Sequence, residues 1–473
     1  MTATAPAPVS DDVLSRLKTV LGEGGWSQDP DRIAPKLVEW RDRWSGATPF
    51  LALPRSTAQV AQVVSICAEA RQPITVQGGN TGLVGGQIPQ GELLLSLERM
   101  RTIREVSVLD DVITAEAGVT LAQVHAAAAE VGRRFPLGLA SEGSATVGGF
   151  VSTNAGGTQV LRYGMTRNLV LGLEAVLPNG QVWNGLKHLR KDNTGYDLKQ
   201  LLVGAEGTLG VVTAAGLKLH PVLASRAVAI LGVGSPTAAI ELLARAKDVS
   251  GGAVEAFELM GRLNIELAIR NIPGTRDPLA EPHPWYVLAE FATAEEGSAG
   301  RAMERFLEGG LEAGLVRDAV VAQTESQARA LWAIRENQSA AQKPEGAVWK
   351  HDVAVPVSQV PSFIEAADAA VRTLVPGCRI VAFGHVGDGN VHYDVLRPEA
   401  LSNDAHAARR DEGARIVHDI AARLGGSISA EHGLGVMKTA EGARYKQPVE
   451  LEAMQAIRRA LDPHRILNPR VLF

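Results

Sequence analysis

The chain has 473 residues, of which 45% are hydrophobic and 21% charged, and its formal net charge of −5 includes no basic tract of the kind that binds nucleic acid. This length and composition predict a soluble protein of two or three domains. The two cysteines, Cys67 and Cys378, lie far apart, which excludes a disulfide framework and a cysteine-ligated iron–sulfur cluster within this chain.

The N-terminal residues have neither the basic segment nor the apolar segment of a secretory signal. No run of about 18 apolar residues occurs, so the sequence predicts no transmembrane helix. We therefore expect a cytoplasmic protein. Residues 1–44 are predicted to form a helical lead-in to the first domain.

Residues 45–222 begin with a strand, a helix and a second strand. The strands are Leu51–Leu53 and Ile74–Val76, and Ser56 or Thr57 can cap the helix between them. That helix has one apolar side, formed by Val60, Val63, Val64 and Cys67. This order predicts a βαβ unit. The other predicted elements are the strands Leu93–Leu95, Val112–Ala115, Val170–Val176 and Val211–Leu219 and the helix Leu121–Val131.

Residues 223–425 mix predicted helices with predicted strands, which favours an α+β substrate domain. The predicted strands are Val228–Val233, Trp285–Phe291 and Ile380–Phe383. The predicted helices are Thr237–Lys247, Gly297–Ala313, Glu325–Gln342 and Val357–Leu374. Residues 426–473 include a predicted helix, Val449–Leu461, and are expected to return to the first domain and complete the active site.

Two glycine-rich segments lie in the first domain, QGGNTGLVGG (77–86) and SEGSATVGGFVSTNAGGTQVLRYG (141–164). Glycine lets backbone N–H groups approach a ligand closely, and successive N–H groups form anion sites. Either segment alone is compatible with an ordinary tight turn. Two such segments beside apolar strands favour a site for the diphosphate of a dinucleotide. Their spacing differs from the GxGxxG of a Rossmann unit that binds NAD.

The segment RIVAFGHVGDGNVHYDV, residues 379–395, predicts a β-hairpin that turns at Asp388 and Gly389. In the expected register, His385 faces His392 across the two strands. Directly opposed side chains share one face with Cβ atoms about 5 Å apart, so two imidazoles would lie ready to bind one metal. Two hydrogen-bonded structural histidines are the alternative.

A third ligand is expected from GGSISAEHGLG, where Glu431 precedes His432. Two histidines and a glutamate leave an open position, as in catalytic zinc sites. Adjacent extended residues point to opposite sides, so only one member of this pair is expected to bind the metal. That leaves His432 for proton transfer.

Positive charge is expected near this site. LWAIRENQSAA is predicted to be helical, which places Arg335 and Ser339 at positions i and i+4 on one face. An arginine fork and a hydroxyl can bind a carboxylate, and Lys350, in the predicted strand VWKHDVAVP, can add a second cation. Ordinary surface positions for the arginine and the lysine are the alternative.

Several separated motifs carry a family resemblance: PRSTAQVAQVV…PITVQGGNTGLVGG, EAGVTLAQVHAAA, FPLGLASEGSATVGGFVSTNAGG and LLVGAEGTLGVVT. In this order they resemble the PCMH-type FAD-binding domain of the vanillyl-alcohol oxidase superfamily. The most similar branch is that of the D-2-hydroxyglutarate, D-lactate and glycolate dehydrogenases, and the resemblance runs from Leu51 to Pro469. It implies an α+β fold, with an FAD-binding domain of two α/β subdomains, an α+β cap domain and a C-terminal segment that returns to the FAD domain.

The resemblance also implies non-covalent FAD, because Asn80 stands where some relatives carry a histidine that attaches the flavin. In the family's pattern Glu206 and Val212 would meet the adenosine or ribityl side of FAD, and Asn468 would approach the flavin ring. The other cofactor-binding positions that it implies are Arg55, Gly78, Gly79, Asn80, Thr81, Gly82, Pro136, Gly138, Ser144, Gly148, Gly149, Ser152, Asn154 and Gly157.

For the second half of the chain, the resemblance implies His385, His392 and Glu431 as ligands of a divalent metal, usually zinc, although cobalt or manganese tolerates the same ligands. It implies His432 as the general base. It assigns the substrate carboxylate to Arg335, Ser339 and Lys350. One position departs from the pattern: Asp394 stands where that branch often has asparagine, and its carboxylate can repel a dianionic substrate or be neutralised by Lys350.

The expected function is oxidation of a D-2-hydroxy acid, D-2-hydroxyglutarate or a related dicarboxylate such as D-malate, with metal assistance and hydride transfer to flavin N5. D-lactate or glycolate is the alternative substrate within the family. A zinc-dependent hydrolase and a non-catalytic flavin-binding subunit are the alternatives from other classes. An electron-transfer flavoprotein or a quinone is the expected electron acceptor, and a homodimer is one option for assembly.

Overall fold

The structure is a computed structural model, and it describes residues 9–40, 42 and 44–473. The helices are α1 (Asp11–Leu21), α2 (Pro30–Ile33), α3 (Thr57–Ala70), α4 (Leu121–Glu130), α5 (Val147–Ser152), α6 (Val160–Tyr163), α7 (Thr166–Leu169), α8 (Lys199–Leu202), α9 (Pro236–Ser250), α10 (Arg262–Asn271), α11 (Ser298–Glu312), α12 (Glu325–Glu336), α13 (Gln338–Ala341), α14 (Val360–Leu374), α15 (Asn403–Ala407), α16 (Arg410–Arg423), α17 (Thr439–Tyr445) and α18 (Pro448–Leu461).

The strands are β1 (Trp26–Ser27), β2 (Leu51–Ala52), β3 (Ile74–Gln77), β4 (Leu93–Ser96), β5 (Ile103–Ser107), β6 (Val112–Glu116), β7 (Arg133–Arg134), β8 (Val170–Val176), β9 (Val182–Gly185), β10 (Val211–Lys218), β11 (His220–Pro221), β12 (Ser225–Val233), β13 (Val254–Gly261), β14 (Trp285–Thr293), β15 (Val316–Val321), β16 (Val348–Ala354), β17 (Arg379–Gly384) and β18 (Asn390–Leu396). Among the described residues, no helix is both long enough and apolar enough to cross a membrane.

The chain divides into two compact units. The first unit comprises the described residues through Gly156, then Gly164–Pro221 and Glu431–Phe473, and the second unit comprises Gly157–Tyr163 and Val222–Ala430. The boundaries predicted from the sequence lie after residues 222 and 425, whereas the units divide after Pro221 and Ala430. The assignment of Gly157–Tyr163 to the second unit has no counterpart in the sequence prediction.

The predicted βαβ unit is confirmed in the first unit. Strands β2 and β3 both pair in parallel with β4, and the sheet order is β1-β2-β4-β3. The side chain of Ser56 caps α3 by accepting the amide of Gln59. The helix buries the predicted apolar side, because it packs against the sheet to form one core. Helix α3 ends at Ala70, before Pro73, with Arg71 in a left-handed conformation at its C-terminus.

The first unit also contains a five-stranded antiparallel sheet, in the order β5-β6-β10-β8-β9. The C-terminal segment returns to this unit, as the sequence predicts. Its residues Leu467 and Ile74 form a parallel bridge, and the amide of Asn468 donates to the carbonyl of Ile74 at 2.8 Å. The chain end therefore pairs with the outer edge of β3, directly before the first glycine-rich segment.

The second unit is built on a seven-stranded antiparallel sheet, in the order β15-β12-β14-β13-β17-β18-β16. One large apolar core contains Phe257, Phe306 and Phe363 and buries residues of α9, α11, α14 and α16. A smaller core contains Tyr286 and Phe383 and buries residues of α10, α12 and α13. Helices thus cover both faces of the sheet, and the overall class is the α+β fold that the sequence predicts.

Two local predictions in the second unit are wrong or incomplete. The helix predicted over Glu325–Gln342 is interrupted, because α12 ends at Glu336 and the side-chain amide of Asn337 donates to the carbonyl of Ala333 at 2.8 Å. Asparagine competes with the helix in this way through its short polar side chain. Strand β13, Val254–Gly261, has no counterpart among the predicted elements.

Candidate functional site

A cavity of about 700 Å³ lies in the first unit. Four residues that the family resemblance assigns to the cofactor line it, namely Gly78, Gly79, Asn80 and Ser144. Other lining residues are Lys36, Gln77, Arg101, Gly118, Thr120 and Thr146. The cavity thus brings residues of the two glycine-rich segments together.

The walls of this cavity fit a diphosphate. A Cβ atom on Gly79 would lie 1.8 Å from the carbonyl oxygen of Ser144, and one on Gly78 would lie 2.5 Å from the hydroxyl of Thr146. Only glycine therefore allows the two segments to approach this closely. The Thr146 hydroxyl is buried and has no hydrogen-bond partner within the described part of the chain. Thr146 was not predicted as a site residue, although it stands within SATVGG, and its hydroxyl can serve a phosphate oxygen.

The other predicted cofactor positions have varied environments. Arg55 is exposed, Val212 is buried in β10, and Gly157 belongs to the second unit. Asn154 has a φ of 49°, and its side-chain oxygen accepts the amide of Arg167 at 2.8 Å. Pro136 and Gly148 are buried, and the partly buried ones are Thr81, Gly82, Gly138, Gly149 and Ser152.

Asn468 and Glu206 hold backbone segments of the first unit together. Asn468 accepts the amide of Val76 through Oδ1 at 2.8 Å and donates from Nδ2 to the carbonyl of Glu206 at 2.7 Å. The carboxylate of Glu206 accepts the amides of Leu434 and Gly435 at 2.9 and 2.8 Å. Burial raises the pKa of Glu206, and the two amide hydrogen bonds oppose that shift. Glu206 therefore anchors the loop that follows His432.

The histidine hairpin of the second unit differs in register from the prediction. His392 pairs with Phe383 rather than with His385, because β17 ends at Gly384 and residues 385–389 form the connecting loop. Gly384 has a φ of 157°, and a Cβ there would lie 2.4 Å from the carbonyl oxygen of Asn390. The predicted two-residue turn at Asp388 and Gly389 is wrong, since the loop begins earlier.

The two imidazoles nevertheless lie side by side. The ring centroids of His385 and His392 are 5.8 Å apart, with an interplanar angle of 77°. Glu431 directly follows Ala430, whose amide donates to the carbonyl of Asp352 at 3.2 Å within the second unit. One ring nitrogen from each histidine and one carboxylate oxygen of Glu431 lie within 4.8 Å of one another. This donor set suits a divalent metal, and His432, the next residue, is half-buried.

Each histidine of this cluster also has a carboxylate beside its Nδ1 atom. The Nδ1 atom of His385 lies 2.7 Å from Oε1 of Glu258, and Nδ1 of His392 lies 3.9 Å from Oδ1 of Asp352. Carboxylates in this position favour the tautomer that offers Nε2 to a metal. Burial would raise the pKa of Glu258, but its electrostatic interactions and hydrogen bonds with His385 and Arg335 hold that pKa below its usual range.

Glu258, like Thr146, is a residue of a candidate site that the sequence prediction missed. It lies in β13, within the segment VEAFELMG, and is 1% exposed. The available signal was a glutamate flanked by apolar residues on both sides, since buried carboxylates need partners. The sequence does not show which strands flank this segment, so the sheet had to be known before the glutamate could be placed.

The predicted substrate residues are only partly brought together. Arg335 is buried, it donates from Nε to Oε2 of Glu258 at 2.7 Å, and its guanidinium lies 4.9 Å from the ring centre of Phe383. Ser339 lies beyond the interruption, in α13, and is exposed. The expectation that it shares a helical face with Arg335 is therefore wrong.

Lys350 and Asp394 form an ion pair across neighbouring strands. They are direct partners in the β16–β18 ladder, and Nζ of Lys350 lies 3.2 Å from Oδ2 of Asp394. Nζ also donates to the side-chain oxygen of Gln342 at 3.2 Å. Asp394 is 3% exposed, so water screens the attraction between its carboxylate and the lysine ammonium only weakly.

Two family descriptions match this chain. Residues 48–185 match the family described as "FAD binding domain", and residues 222–472 match the family described as "FAD linked oxidases, C-terminal domain". The first match includes the cavity residues Gly78, Gly79 and Thr146, and the second includes the cluster of His385, His392 and Glu431.

Similar proteins are found over nearly the whole chain. The probable mitochondrial D-2-hydroxyglutarate dehydrogenase of Oryza sativa subsp. indica is 39% identical, over 97% of this chain and 81% of that protein. The D-2-hydroxyglutarate dehydrogenase of Xanthomonas citri pv. viticola is 37% identical, over 92% of this chain and 91% of that protein.

Solved structures support the fold. The crystal structure of p-cresol methylhydroxylase with substrate bound is similar, with a TM-score of 0.78, 17% sequence identity and coverage of 98% of both chains. Alkyldihydroxyacetonephosphate synthase gives a TM-score of 0.73 at 16% identity, with coverage of 99% of this chain and 86% of that one. At these identities the likeness concerns the fold alone.

Proposed function

This chain belongs to the FAD-linked oxidase family and is an FAD-dependent oxidoreductase, and on that premise we propose that it oxidises D-2-hydroxyglutarate, or a related dicarboxylate such as D-malate, to the 2-oxo acid. The observation that carries this proposal is the cluster of His385, His392 and Glu431, with ligand atoms within 4.8 Å of one another. Two histidines and one glutamate suit zinc with an open position for a hydroxy acid.

The side chains have distinct tasks in the proposed reaction. FAD held in the first-unit cavity would supply the acceptor for the hydride from C2 of the substrate, and a metal held by His385, His392 and Glu431 would supply polarisation of the 2-hydroxyl. Arg335 binds a substrate carboxylate with the Nη atoms of its guanidinium, since Nε is bonded to Glu258. His432 takes the hydroxyl proton, because an imidazole side chain can accept a proton near neutral pH. His432 is also the residue that follows Glu431 in the chain.

One observation favours a second candidate substrate, D-lactate or glycolate. The Lys350 ammonium is 3.2 Å from the Asp394 carboxylate, which neutralises much of its charge. A dicarboxylate needs a second cation to offset its distal charge, whereas a monocarboxylate needs only Arg335. Neutralisation of Lys350 by Asp394 therefore favours a monocarboxylate substrate over a dicarboxylate.

The test is an anaerobic visible spectrum of the purified flavoprotein, mixed in turn with D-2-hydroxyglutarate, D-malate, D-lactate and glycolate. We expect the flavin band at about 450 nm to disappear fastest with D-2-hydroxyglutarate. Pretreatment with EDTA should abolish the reduction, and restoring zinc should recover it. His432→Asn should keep the flavin band but lose its reduction by substrate.

Each outcome of this test has a clear meaning. Faster reduction by D-lactate or glycolate would replace the dicarboxylate with a monocarboxylate. Reduction that resists EDTA would refute a role for the metal. A flavin band that no 2-hydroxy acid reduces would refute the proposal as a whole, and normal reduction of His432→Asn would refute the assigned base.

A further inference from the structure

Glu258 is a buried carboxylate in the middle of the central sheet of the second unit. It is 1% exposed, and burial of an ionised carboxylate costs several kcal/mol unless it is fully paired. Each of its oxygens has one partner: Oε1 lies 2.7 Å from Nδ1 of His385, and Oε2 accepts Nε of Arg335 at 2.7 Å. One side chain therefore contacts both a metal-binding residue and a residue assigned to the substrate.

The contact with His385 determines which ring nitrogen can bind a metal. A neutral imidazole carries one proton, and a carboxylate acceptor beside Nδ1 keeps that proton on Nδ1. The lone pair is then on Nε2, and the ring cannot rotate without losing the hydrogen bond. Carboxylates that hold metal-binding histidines in this way raise ligand basicity and fix ring orientation.

The contact with Arg335 determines where its guanidinium lies. Nε donates a hydrogen bond to Glu258, Cζ lies 4.9 Å from the ring centre of Phe383, and Nη2 is 3.5 Å from Nε2 of His385. The arginine fork is thereby kept beside the metal-binding face of the histidine. A hydroxy acid has its hydroxyl and carboxylate on adjacent carbons, so the metal and the arginine must keep a fixed separation.

Glu255, three positions earlier in β13, makes a natural comparison. It is also buried, at 2% exposure, and its carboxylate forms an ion pair with Arg162 at 3.1 Å. Glu255 and Glu258 thus share a strand, deep burial and an arginine partner, and for Glu258 the pair with His385 comes in addition.

We propose that Glu258 is a positioning residue that sets the metal affinity of His385 and the placement of Arg335 at once. This inference rests on the proposed function, because it assumes a metal at His385, His392 and Glu431. Glu258 does not touch the reacting atoms itself. It acts through two neighbours, so its loss should affect metal binding even when no substrate is present.

The experiment compares Glu258→Gln with the matched control Glu255→Gln in the full-length flavoprotein. Both proteins are stripped with a chelator and titrated with zinc against a coloured zinc indicator. We expect the zinc affinity of Glu258→Gln to fall by about 10–100-fold, the usual effect of losing such a carboxylate, and that of Glu255→Gln to stay at the wild-type value. The KM for D-2-hydroxyglutarate should rise in Glu258→Gln even at saturating zinc.

Wild-type zinc affinity in Glu258→Gln would overturn the inference, and so would an equal loss in the two variants, which would indicate general destabilisation. Should Glu258→Gln fail to fold, Glu258→Asp keeps the charge but is too short to reach both partners. It should lose part of the zinc affinity, and an unchanged affinity would again overturn the inference. A wild-type protein that binds zinc but oxidises no hydroxy acid refutes the proposed function alone, whereas one that binds no zinc refutes this inference.

Discussion

The cofactor cavity and the candidate metal site are built from different parts of the chain. In the first unit, the cavity is walled by the backbone of glycine-rich segments, and the side chain of Asn468 holds Val76, directly before the first of these segments. The candidate metal site and Arg335 instead offer side chains, and the sheet of the second unit places His392 beside the loop that carries His385.

This difference has a physical origin. A diphosphate is recognised by N–H groups, which every residue has, so the sequence must supply glycines that let the backbone approach. A metal needs particular donor atoms, and those come only from side chains. Opposite kinds of substitution should therefore damage the two sites: an added methyl group harms the cofactor cavity, and a removed side chain harms the candidate metal site.

The largest effect is expected from His392→Ala in the second unit. Loss of a residue that only hydrogen-bonds to a metal ligand lowers metal affinity by up to about 100-fold. This change removes one of the three ligands themselves, so zinc affinity should fall by more than that. The flavin band should remain, because the cavity lining lies in the first unit. His283→Ala is the control, since His283 belongs to the same unit and pairs with Asp318. Wild-type zinc affinity in His392→Ala would exclude this cluster as the metal site.

A smaller effect is expected from Gly79→Ala in the first unit. The new Cβ would lie 1.8 Å from the carbonyl oxygen of Ser144, so the two segments must move apart. Such overpacking costs about 1–3 kcal/mol, which corresponds to roughly 5–150-fold in FAD affinity. Fluorescence titration of the stripped protein with FAD measures it. Gly300→Ala, where no atom lies within 4 Å of the added Cβ, should bind FAD normally. Unchanged affinity in Gly79→Ala would show that the cavity is not the diphosphate site.

The smallest effect on the protein is expected from thiol reagents, because each unit has one buried cysteine, Cys67 or Cys378. Burial raises the pKa of Cys67 to about 12 and also raises that of Cys378. The thiolate is the reactive form, so at pH 8 Cys67 should react about a thousandfold more slowly than an exposed thiol, and faster as the pH rises. Fast labelling of the native protein at pH 8, followed by mass spectrometry, would contradict this. Flavin reduction should be unchanged by the reagent.

The sequence alone determined much of the first unit. The cap at Ser56, the apolar side of α3 and the order of β2, α3 and β3 follow from local patterns, and those patterns survive folding because each depends on neighbours in the chain. The two glycine-rich segments were also visible, since glycine is required wherever backbones approach closely. The resemblance to the FAD-binding family rests largely on these same segments.

Only the tertiary structure decided how the second site is built. The register that pairs His392 with Phe383 depends on the loop of residues 385–389, whose conformation no periodicity predicts. The break at Asn337 separates Ser339 from Arg335, and the burial of Glu258 follows from the position of β13 within the sheet. The physical reason is that these side chains are distant in sequence and meet only across strands. A local pattern therefore shows which residues carry donor atoms, but it does not show which of them come together.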